Sequence, residues 1–80
     1  MTLLQIRQLL VNAADQMYLA HQFQEAAFSA HENDFESFED YAKHLDYNVF
    51  MCEQSKAAAD KLMEQANAAN LALTAKKLAA

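Results

Sequence analysis

Polar residues mark the first half of the chain at Gln5, Gln8, Asn12, Asp15, Gln22, Glu25 and Ser29. The steps are those of one solvent-facing stripe on an α-helix. Between them Leu3, Ile6, Leu10, Ala13, Met17, Ala20 and Ala27 form an apolar seam. Leu4, Leu9, Val11, Tyr18, Leu19, Phe23 and Phe28 widen it on both flanks. Thr2-Leu3-Leu4-Gln5 has the capping-box spacing, with Met1 and Ile6 at the hydrophobic-staple positions. The pattern predicts a first helix over about residues 3–30.

The next break is His31-Glu32-Asn33-Asp34. Asn33 or Asp34 is a candidate cap for a second helix, and Ser29 and Ser37 compete with them. The second seam runs through Phe35, Phe38, Ala42, Leu45, Val49, Cys52, Ala59, Met63, Ala66 and Leu73. It predicts a helix over about 35–78, with a weak opportunity to bend between 48 and 56. The expected fold is all-α: one domain over residues 1–80, built as a long antiparallel helical hairpin. A bent second helix would turn this into three helices.

The apolar face of the first helix is wider than the stripe of about 100° that an ordinary surface helix buries. A single hairpin therefore leaves part of it uncovered. This favours dimerisation into a helical bundle over a fold-back monomer, with Leu4, Val11 and Tyr18, one step off the seam, as candidate interface residues.

Composition narrows the function. The 80 residues contain no glycine and no proline. Tight hairpins are thereby disfavoured, and no Gly-rich phosphate cradle or dinucleotide fingerprint can be written. Apolar runs reach only four residues, as in Met17 to Ala20, far short of the ~20 that span a bilayer. The opening segment lacks the basic start of a signal peptide and reads as mature structure. Cys52 is the lone cysteine, which suits a reducing, cytoplasmic setting.

The net charge of −5 is concentrated. Glu32, Asp34, Glu36, Glu39, Asp40 and Asp46 face only Lys43 in the stretch from His31 to Asp46. Lys76–Lys77 is the one adjacent basic pair. Phosphate-driven nucleic-acid binding needs clustered cations, so nucleic acid is disfavoured as a partner.

Four residues raise a metal-site hypothesis. His21 and Glu25 share a helix face, as do Asp40 and His44. A turn centred between Glu32 and Asn33 would level His21 with His44 and Glu25 with Asp40. The weight of the sequence is against it, because the turn centre is assumed and the paired Glu-x-x-His pattern of di-iron bundles is missing. Cys52 reads as a small core residue, with no neighbouring base to make it a nucleophile. His31 reads as a cation at a helix end, and the serines read as caps.

No catalytic constellation emerges. The expectation is a non-enzymatic, dimeric protein–protein interaction module of adaptor, chaperone or inhibitor type. The candidate contact surface is Glu32, Asp34, Glu36, Glu39 and Asp40 with Tyr41, Tyr47 and Phe50, facing a partner with a basic surface. A metal- or ligand-binding bundle and a helical-hairpin RNA-binding regulator are the competing readings.

Overall fold

A computed structural model describes residues 1–79. Helix α1 spans Leu3–Ser29, a short 3-10 turn spans Glu32–Asp34, and helix α2 spans Phe38–Ala79. The two long helices pack against each other along their lengths, and the described residues contain no strand. The fold is a helical hairpin.

Each boundary has a local cause. Thr2 caps α1 with its hydroxyl 3.2 Å from the Gln5 amide, while the Gln5 side chain accepts from the Thr2 amide at 2.8 Å. This is the expected capping box. At the other end α1 stops at Ser29, and Ala30 and His31 are extended. The Asp34 carboxylate accepts from the His31 amide at 3.2 Å and closes the turn. Helix α2 starts three residues later than its seam suggested. Neither Asn33 nor Asp34 caps it. Ser37 does, its hydroxyl accepting from the Asp40 amide at 3.1 Å.

The late start changes the register. A turn centred at Glu32–Asn33 would set Met1 level with Glu64. Met1 instead shares a groove with Ala69, Ala72, Leu73 and Lys76. The overhang expected beyond residue 62 is therefore mostly paired with α1. Helix α2 is continuous through its 42 residues. At 1.5 Å per residue that is about 63 Å, close to the 66 Å length of the molecule. The bend near 48–56 and the three-helix fold-back are both ruled out.

The core is made of small residues on strict sevens. On α1 the buried line is Ile6, Ala13, Ala20 and Ala27; on α2 it is Cys52, Ala59 and Ala66, flanked by half-buried Leu45 and Leu73. Second lines run beside them: Leu9, Gln16 and Phe23 on α1, continued by Ala30 just past its end, and Tyr41, Asn48, Ser55, Leu62 and Ala69 on α2. Spacing by sevens keeps one seam facing the partner through a left-handed supercoil. Alanine at the contact lets the two backbones approach closely.

Several expected seam residues lie outside this core. Leu3, Leu10 and Met17 are 60%, 41% and 49% exposed, and Phe38, Val49 and Met63 are exposed as well. Asn48 and Ser55 occupy the buried positions instead. The expected seams mixed the true contact line with the flank four residues on, which lies about 50° around the helix.

Candidate functional site

Among the described residues no large side chain is fully buried, whereas many large apolar side chains are exposed. They lie on several faces along the helices and at the turn end.

At the turn end Glu32 and Asp34 lie in the 3-10 turn, Glu36 follows it, and Glu39 and Asp40 occupy the first turn of α2. All five are exposed. Carboxylates at a helix start are favoured by the positive end of its dipole, so Glu39 and Asp40 also serve α2. Lys43 lies 3.4 Å from Glu39 on the surface, a pair of small energetic weight.

The aromatic residues divide by role. Tyr41 lies on the half-buried inner line, contrary to its expected place off the seam. Its ring is 5.6 Å from Phe35 and 6.2 Å from Phe38. Phe35 also stacks on His44 at 5.0 Å. Phe35 thus belongs to a small cluster that closes the turn, and Phe38, expected in the core, stands 66% exposed at its rim. Tyr47 meets Phe23 edge-on at 6.3 Å yet remains exposed, and Phe50 is exposed without a ring partner among the described contacts.

The supposed metal quartet does not assemble. His21 pairs with Glu25 at 3.3 Å on the open surface of α1. The groove beside them is lined by Gln24, Phe28 and Ser29 and by no α2 residue. His44 turns inward, with Nε2 3.2 Å from the Ala26 carbonyl oxygen. Among the described residues no group of three or more His, Cys, Asp or Glu side chains is placed to hold a metal ion. The shifted register is the reason, since the levelling of His21 with His44 required a turn centred at Glu32–Asn33.

His44 is the functional-looking residue that sequence reasoning misassigned. It lies on α2 beside the last turn of α1, where carbonyls begin to lack intrahelical donors, and with its proton on Nε2 it supplies one from the other helix. The cue was its place one turn before Asn48, which fills a buried position.

Leu4, Val11 and Tyr18 lie on one exposed line of α1, seven residues apart. That line stands about 150° around the helix from the buried alanines. Cys52 is a buried free thiol in the seam. No helix among the described residues is long and apolar enough to cross a membrane. In comparison with known proteins the chain matches no family model, no curated protein and no solved structure.

Proposed function

We propose that this chain is a non-catalytic interaction module that binds a protein partner of basic surface through the turn end of its hairpin. The observation that carries the reading is the joint exposure of acids and aromatics there. Glu32, Asp34, Glu36, Glu39 and Asp40 flank the exposed rim residue Phe38 in the chain, with Tyr47 and Phe50 exposed further along α2. Charge of one sign steers a basic partner and sets the salt dependence of encounter. Desolvated aromatic anchors then supply most of the binding energy. A single buried thiol, Cys52, suits action in a reducing cytoplasm.

The test is affinity capture from the native host with the wild-type chain and with Glu36→Lys/Asp40→Lys, both checked for equal helicity. A protein retained by the wild type and lost from the variant is expected, with retention falling as salt rises. Identical captured proteins for both chains would sink the reading.

A further inference from the structure

We propose that a second copy of this chain packs, ends reversed, on the exposed flank formed by Leu3, Leu10 and Met17 of α1 with Val49 and Met63 of α2, completing an antiparallel four-helix bundle. This goes beyond the partner reading and does not rest on it, since the flank runs along the helices and the acidic rim lies at the turn.

The two lines belong to one face. Gln24 and Phe28 of α1 share a groove with Val49, Glu53 and Lys56 of α2. Gln24 is seven residues after Met17, and Lys56 is seven after Val49 and seven before Met63. The groove therefore lies on the same flank as the three exposed α1 residues. The opposite flank carries the contacts of Phe23 with Tyr47 and of Ala26 with His44, and its α1 line includes polar Gln5 and Asn12. On α1 the proposed line, with Leu3, Leu10 and Met17, is the more apolar of the two. Its spacing by sevens matches that of the internal seam, so a second hairpin can mesh at the shallow crossing angle of helical bundles. Gln24, Lys56 and Asn70 interrupt the face, and Lys56 is the only charge among them. Its aliphatic stem can lie along the apolar surface while the ammonium reaches the rim.

The elongated hairpin leaves enough surface exposed for a stable interface. The chain exposes 6141 Å², whereas a compact chain of 9.0 kDa exposes about 4,900 Å². The excess exceeds the roughly 800 Å² that each partner contributes to a stable interface. The radius of gyration, 18.5 Å, is likewise well above the roughly 12 Å of a compact chain of this length.

Charge identifies the occupant as a reversed copy. The turn end carries the acids from Glu32 to Asp46. The open end, residues 1–14 and 65–79, has no acid at all and carries Arg7, Lys76 and Lys77. Reversal places the acidic end of each hairpin beside the basic end of the other. Packing with the turns together would pool both acidic segments.

Two measurements test this. Sedimentation equilibrium at micromolar concentration should give twice the chain mass of 9.0 kDa. Leu10→Glu/Met63→Glu should reduce the mass to a single chain, while Leu4→Glu/Tyr18→Glu remains dimeric. Orientation is read without disturbing the face. A spin label on Asn33→Cys in a Cys52→Ala background should give an intermolecular distance approaching the 66 Å length of the hairpin. A single-chain mass for the wild type overturns the proposal. So does a short label distance, and so does a dimer that survives the first pair of substitutions and dissolves with the second.

Discussion

The imidazole of His44 on α2 meets the carbonyl oxygen of Ala26 on α1, with Nε2 at 3.2 Å. Ala26 lies in the last turn of α1, where carbonyls run out of helical donors. With the proton on Nε2, His44 acts as a cap delivered from the opposite helix. Asn48, only 5% exposed, donates to the His44 carbonyl oxygen at 2.8 Å, and the same side-chain nitrogen lies 3.4 Å from Nδ1 of the His44 ring. The pair fixes which residue of α2 stands beside the end of α1.

His44→Ala should therefore destabilise the hairpin by about 1–2 kcal/mol, from one lost hydrogen bond to a buried-side carbonyl and the lost stacking on Phe35. Urea unfolding followed by circular dichroism measures it. A change within the ~0.5 kcal/mol typical of surface substitutions would mean that the contact is idle.

The alanine seam makes a second prediction. Ala20 is 1% exposed and faces α2, whereas Ala14 is exposed. Leucine and alanine are both good helix formers, so Ala20→Leu tests packing rather than propensity. The enlarged side chain should cost about 1–3 kcal/mol by forcing the backbones apart. Ala14→Leu should leave the melting temperature nearly unchanged. Equal effects at the two positions would contradict the close-packed seam.

How the sequence could be read follows from that seam. Helical content, the hairpin and the Thr2 cap were legible, because missing breakers and a capping box are local signals. The core was only half legible. Leu10 and Met17 are more hydrophobic than Ala13 and Ala20, so a reading weighted by hydrophobicity joins them in one stripe. Close approach of two backbones selects for smallness instead. The strict sevens through Ile6, Ala13, Ala20 and Ala27 carried that information, and Leu and Met one turn on obscured it. The metal quartet failed for a related reason. Ser37, rather than Asn33, starts α2, and the few residues of delay shifted every level of the hairpin.

That boundary is open to test. Ser37→Ala should cost about 1 kcal/mol through loss of the cap on α2, while Asn33→Ala should cost little. Amide exchange gives the local signature. The Asp40 amide, which donates to the Ser37 hydroxyl at 3.1 Å, should exchange faster in Ser37→Ala and unchanged in Asn33→Ala. Faster exchange in the Asn33 variant instead would return the start of α2 to the earlier turn.

The exposed aromatics allow structure and recognition to be separated. Tyr47 contacts Phe23 edge-on across the helices at 6.3 Å, and Phe50 is 56% exposed with no ring beside it among the described contacts. An aromatic pair adds about 0.5–1.5 kcal/mol beyond its buried area. Tyr47→Ala should therefore lower the stability of the hairpin measurably, and any loss of partner binding in that variant has two causes. Phe50→Ala should change stability by no more than about 0.5 kcal/mol, as expected for a surface site. If the turn end is the contact surface, the same variant should still weaken a captured partner by tenfold or more, equivalent to about 1.4 kcal/mol, and should act on the dissociation rate, because an apolar anchor does not steer encounter. Glu36→Lys/Asp40→Lys should do the reverse, slowing association and flattening its dependence on salt. A Phe50→Ala chain of unchanged stability and unchanged affinity would remove Phe50 from the contact surface and leave it to the acids, Phe38 and Tyr47.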